Sequence, residues 1–130
     1  MERLAKKYAD RDVQFAVVYV REPHPGERAF RRYAKHASLD HKVRYAQELV
    51  RLKAMEIPVV VDGLDEAAHR VLGNLPNLAY VVDKEGRVVF KSTWTNAEHI
   101  DEVLAELTSD GDPGRRLPVT IRDADVGMAI

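Results

Sequence analysis

Apolar residues crowd one early stretch, VQFAVVYV at 13–20, almost without a break. A run of that length and density suits a strand buried on both faces. It ends at REPHPG, 21–26, where neither Pro23 nor Pro25 can donate to a sheet ladder and the residue before each is pushed away from helix. Ahead of the strand, Leu4 and Tyr8, with alanines at 5 and 9, fall on helical spacing and predict the end of a helix over 1–9, with no N-cap before Met1. Beyond it, Phe30, Tyr33 and Ala34 predict a short helix over 27–35, interrupted at 36–40. Ser38 or Asp40 can cap a second helix running to about Met55, with Val43, Ala46, Leu49, Val50 and Leu52 as its apolar stripe and Arg44, Glu48, Arg51 and Lys53 as its solvated face.

The pattern then shortens. Residues 57–62, IPVVVD, read as a strand whose proline near the start suits a sheet edge. A helix follows from 62–65, carrying Ala68, Val71 and Leu72 and ending at Gly73, where a left-handed C-cap belongs. LAYVVD at 78–83 and a return strand over 87–93 flank DKEG, a hairpin signal in which Gly86 is free to take positive φ. Thr95, Asn96, Ala97 and Glu98 spell a capping box, and Ile100, Val103, Leu104 and Leu107 mark the face of a last helix. Residues 109–116 are linker-like, and the tail 117–130 contains one strand-like triplet, Val119, Thr120 and Ile121. Strands alternating with helices, closed by a ββα unit, predict an α/β layered domain with a mixed sheet over 1–110, followed by a linker and C-terminal tail over 111–130.

Composition narrows the function classes. A net charge of −1 gives no reason to expect nucleic acid or an anionic membrane as partner. No apolar run approaches the roughly 18 residues that span a bilayer. The start, MERLAKKYADRD, is too charged for a signal peptide, so the default location is cytoplasmic. The 130 residues include no cysteine, which excludes a disulfide framework, a zinc-thiolate site and thiol catalysis by this chain's own residues. No cofactor is expected.

The prolines deliver Glu22 and His24 to the C-terminal end of the first strand, the end at which open α/β sheets bind ligands. A carboxylate beside an imidazole suits general acid–base work or substrate hydrogen bonding; the alternative is that both are solvated turn residues. A metal held by Glu22, His24 and His36 is chemically conceivable, but the close ligand spacing of metal motifs is missing and no metal is expected. His41, His69 and His99 are expected to face solvent among charged neighbours, and Trp94 to pack over the end of the sheet.

Four segments, VVYVREPHPGER, HASLDHKVRYAQELV, IPVVVDGLDEAAHRVLG and LPNLAYVVDKEGRVVFK, occur in the order and at the spacing of thioredoxin-fold redoxins. Over roughly 1–92 the chain resembles the iodothyronine-deiodinase-like branch of that family. The resemblance implies a thioredoxin-like three-layer sandwich with a mixed sheet. It places the family's Glu-x-His motif on Glu22 and His24, a second site histidine on His36, and the proline that faces the reactive thiol on Pro76. It also implies that the family's first strand and its Cys/Sec motif are missing, with residues 1–9 standing as the last turns of the helix that follows them. The glycine-rich stretch after the last strand in deiodinases is replaced by Ser92, Thr93, Trp94 and Thr95.

By the family's plan the missing strand lies between 13–20 and 78–83, and a gap there leaves backbone groups without partners. Three solutions stay open: the two strands pair directly, the tail strand near 118–122 fills the slot from its own chain or by exchange between subunits, or the protein is longer than the segment beginning at Met1. Two functional expectations follow. In one, the chain is a redox-inactive binding or assembly module, a homodimer completed through tail residues 117–130, with a site at Glu22, His24, His36 and Pro76. In the other, it is the body of a thiol-disulfide oxidoreductase whose Cys or selenocysteine lies upstream of Met1, acting on a small-molecule or protein-thiol partner. A third possibility is a cysteine-free enzyme that uses the Glu22 and His24 pair for acid–base work.

Overall fold

The structure, a computed structural model, describes residues 1–22, 24–27, 31–75, 77–109 and 120–122, the last three as backbone only. Pro76, Pro23, residues 28–30 and most of the tail lie outside the described residues. The chain has mixed α/β structure, with four helices and five strands among the described residues. Its internal contacts divide it into two compact units, Met1–Asn74 and Leu75–Ile130.

The first unit runs α1 (Glu2–Lys7), β1 (Val17–Tyr19), α2 (Leu39–Lys53), β2 (Val59–Val61) and α3 (Ala67–Leu72). β1 and β2 are parallel, with Val17, Val18 and Tyr19 opposite Val59, Val60 and Val61. A parallel pair needs a crossover, and α2 supplies it. α2 starts at Ser38, whose side chain accepts from the His41 N–H at 3.1 Å. Its buried residues are Lys42 and Ala46, one turn apart; Val43, Leu49 and Val50 are half-buried, and Leu52 is exposed. Among the described residues, Leu4, Tyr8, Tyr19, Ala46 and Ile57 are the buried hydrophobic residues of this unit.

The second unit runs β3 (Ala79–Val82), β4 (Val88–Ser92), α4 (Ala97–Leu107) and β5 (Thr120–Arg122). Asp83 builds the β3–β4 turn: its carboxylate accepts from the Glu85 and Arg87 N–H groups at 3.0 and 2.9 Å, and Gly86 takes φ +80°. The ladder shifts between Val81 and Val82, which face Phe90 and Val88, so Val89 is the extra residue of a bulge. That irregularity lets the consecutive residues Val89 and Phe90 both be buried, which a regular pleat would not allow. Ile100 and Leu104 are the buried positions of α4, one turn apart on the face marked by the sequence pattern.

Several expectations are corrected. The strands form two sheets, β1–β2 and β3–β4–β5, in place of one mixed sheet. The tail strand β5 runs parallel to β4, with Phe90, Lys91 and Ser92 opposite Thr120, Ile121 and Arg122; it fills the free edge of the hairpin, and not a slot beside 13–20 or 78–83. The early strand narrows from 13–20 to Val17–Tyr19. The helix expected over 27–35 is absent from 31–35, because side chains satisfy that backbone: Ala34 N–H donates to the Tyr45 hydroxyl at 3.1 Å, and that hydroxyl donates to Arg32 C=O at 3.4 Å. Gly73 has φ 115° and ψ 165°, a positive φ that glycine accommodates but not the left-handed cap expected.

The cap of α4 is Asn96, one residue beyond Thr95, because the Thr95 hydroxyl donates to Asn77 C=O at 3.0 Å. Trp94 is exposed; the turn around it is fixed through its backbone, the Ser92 hydroxyl donating to Trp94 C=O at 2.6 Å. His69, expected in solvent, is buried, and Val71 is 84 % exposed in its stead. The cause is Asp62, whose two carboxylate oxygens each accept at 3.0 Å, one from Ala68 N–H and one from His69 N–H, and so set the rotation of the short α3.

Candidate functional site at the end of β1

Tyr19 is the last residue of β1, and alternation turns it to the buried side while Val18 stays exposed. The chain leaves the strand through Arg21 and Glu22, and Glu22 folds back so that its Oε1 accepts the Tyr19 hydroxyl proton. On the other side of the same hydroxyl lies His36 Nε2, at 3.4 Å. Two of the residues singled out in the sequence, Glu22 and His36, thus meet through a tyrosine that was not.

The proton positions follow from valence. Tyr19 has one hydroxyl hydrogen, and an ionised carboxylate can only accept. With that hydrogen directed at Glu22, the phenol oxygen is left as an acceptor, so His36 donates from Nε2 and its Nδ1 keeps a lone pair. Burial and the adjacent Glu22 carboxylate push the Tyr19 phenol well above its ordinary range. Burial, and then the charge of Lys42, lower the His36 pKa against the opposing pull of Glu22. The imidazole is therefore neutral at neutral pH.

Around this centre the rings stack edge to face. The His36 ring lies 5.8 Å from Tyr19, 5.5 Å from Tyr45 and 6.1 Å from His41, centroid to centroid, and His41 lies 4.4 Å from Tyr45. His41 and Tyr45 are one turn apart on α2, which presents them together. His41 Nδ1 accepts from Ala37 N–H at 3.3 Å, so its own proton sits on Nε2. Tyr33 packs 5.0 Å from Tyr45 and donates to Glu48 at 3.0 Å. The result is a partly buried aromatic and imidazole cluster offering one lone pair, at His36 Nδ1, one N–H, at His41 Nε2, and one carboxylate, Glu22.

Lys42 acts on the cluster through its charge, which lowers the His36 pKa. Its side chain is 1 % exposed, and its Nζ donates to Gly63 C=O at 3.0 Å. Burial would raise the Asp62 carboxyl, but the Ala68 and His69 N–H groups and the Lys42 charge outweigh it and hold Asp62 below the usual carboxylate range. Sequence pattern could not flag Lys42, since lysine on a helix ordinarily reads as solvent-facing. The one signal is its position one turn before Ala46 on the apolar face.

His24 is not brought into this group. It is exposed, and its Nδ1 lies 3.6 Å from Glu27 Oε2. The placement expected of Pro76 lies outside the described residues. Among the described residues no three His, Asp or Glu side chains converge to hold a metal ion, and no helix is long and apolar enough to cross a membrane. An open groove of about 280 Å³ lies elsewhere in the first unit, along α1 and the start of β2. Its polar groups are turned on one another, Lys6 on Glu56 at 2.8 Å and Glu2 on the Glu56 N–H at 3.2 Å, which leaves the Tyr19 cluster as the better-equipped site.

No protein-family model matches the chain, and no solved structure matches it. The redoxin resemblance rests on the four sequence segments.

Proposed function

We propose that this chain is a binding module of thioredoxin-like plan that carries no thiol chemistry on its own residues, with Tyr19, Glu22 and His36 as its recognition site. The observation that carries the reading is the Tyr19 hydroxyl bridging Glu22 and His36 at the C-terminal end of β1. The order of elements supports the plan: a parallel β1–α2–β2 crossover, then an antiparallel β3–β4 hairpin, then α4. A neutral imidazole, a locked phenol and one carboxylate can recognise a small polar ligand by hydrogen bonding without transforming it. The module acts in the cytoplasm. The tail strand, paired with β4 of its own chain, gives no support to a dimer made through 117–130.

The test is a protein-observed NMR screen with phenol- and imidazole-sized fragments. Bound fragments should shift the ring resonances of His36 and Tyr19, and Tyr19→Phe should weaken binding about tenfold while leaving the fold intact. Hits that cluster elsewhere, or affinities indifferent to Tyr19→Phe, would overturn the assignment. Disulfide reductase activity in the purified chain would overturn the non-catalytic reading.

A further inference from the structure

Among the described residues β1 is paired on one side only. Val17 N–H donates to Pro58 C=O at 2.9 Å and Asp62 N–H to Tyr19 C=O at 3.0 Å, so residues 17 and 19 face β2. Alternation then directs the N–H and C=O groups of Ala16, Val18 and Val20 to the opposite edge. Among the described residues nothing hydrogen-bonds to them there. Exposed strand edges are ordinarily guarded by charge, proline, a bulge or a covering element. Residues 13–20 contain no charge and no proline, and the Tyr19 hydroxyl is engaged with Glu22, which leaves Gln14 as the one other polar side chain. β2 differs, with Pro58 at its start and Asp62 engaged by α3 at its end. Val18 and Val60, opposite each other in register, are 40 % and 54 % exposed on one face. A two-stranded sheet with an open, unguarded, apolar edge is an incomplete one.

We propose that this edge is completed by a second copy of the same chain, β1 pairing antiparallel with β1 across a two-fold axis at Val18. The strand is self-complementary in that register. Val18 falls opposite Val18 and Ala16 opposite Val20, so each edge N–H meets a C=O and the two pairs merge into a sheet ordered β2–β1–β1–β2. The exposed valines then form one row, Val60, Val18, Val18 and Val60, with direct cross-strand contact at its centre. The paired core, Ala16 to Val20, carries no charge. The inference stands on the strand edge and does not rest on the binding-module reading. Strand pairing alone buries less than the roughly 800 Å² per partner of a standard interface, so the dimer is reversible and concentration-dependent.

The experiment is sedimentation velocity on the full chain over a concentration series, with hydrogen exchange read at the Val18 amide. The expected result is a monomer–dimer equilibrium in which Val18 exchange slows as dimer forms. Val18→Lys sets two like charges face to face on the axis and should weaken dimerisation at least tenfold, with far-UV circular dichroism unchanged. Mixing Val18→Lys with Val18→Glu should restore association. A monomer at every concentration, a dimer indifferent to Val18→Lys, a mixture that fails to associate, or a Val18 amide that exchanges freely within the dimer would each overturn the proposal.

Discussion

Asp62 joins three elements with one carboxylate. It closes β2, receives the first N–H groups of α3, and lies within the field of the buried Lys42. Because the folded protein lowers its pKa, its contribution to stability is complete above the usual carboxylate range. That contribution is lost as the pH falls through the lowered value, where the folded carboxylate takes up its proton. Asp62→Ala should therefore cost about 1–2 kcal/mol at neutral pH, the scale of a lost helix cap. The two proteins should converge in stability in strong acid, as urea unfolding at several pH values would show. A gap that stays constant with pH would deny Asp62 this role. The residue was legible in the sequence as the end of a strand, and its grip on His69 was not. A histidine among charged neighbours on a short helix reads as solvent-facing until something fixes the rotation of that helix. Tyr19 was missed for a related reason, since an aromatic in an apolar run reads as core, and only the return of Glu22 onto its hydroxyl turns it into chemistry.

Among the elements, those specified by local signals formed close to where the pattern set them. The β3–β4 hairpin follows from Asp83 and Gly86, and α2 begins at one of the two caps the sequence offered. α4 shows the limit of such signals. The capping pattern pointed to Thr95, but a contact with Asn77, far off in sequence, takes that hydroxyl and passes the cap to Asn96. Asn96 Oδ1 accepts from both Glu98 N–H and His99 N–H, at 2.8 and 3.2 Å. Asn96→Ala should accordingly destabilise the protein by about 1 kcal/mol, and Thr95→Ala should leave the helix N-terminus protected in amide exchange. Equal loss of that protection in both variants would return the cap to Thr95. Over 31–35 the expected short helix fails on the same principle, because Tyr45 bonds to the backbone of Arg32 and Ala34 from another element.

At the scale of the molecule, the alternation of strand and helix was enough for the α/β class and for a parallel pair followed by an antiparallel one. Pairing between distant strands was not legible. The tail triplet looked like a strand in search of a place, and nothing in its own residues names β4 as the partner. The division into two units and two sheets is likewise a product of contacts that no single segment encodes.

Lys42 carries one more consequence. A lysine only 1 % exposed cannot readily meet an acylating reagent until the first unit opens, whereas Lys6, with a side chain 63 % exposed, meets it at once. Acylation of Lys42, followed by mass spectrometry, thus becomes a clock for breathing of the unit, ticking only during excursions from the native state. If opening costs about 5 kcal/mol, Lys42 should react on the order of a thousandfold or more slowly than Lys6. Equal rates would mean that the unit opens freely around it. Each acyl group found on Lys42 is then a permanent mark of a moment when the chain had come apart.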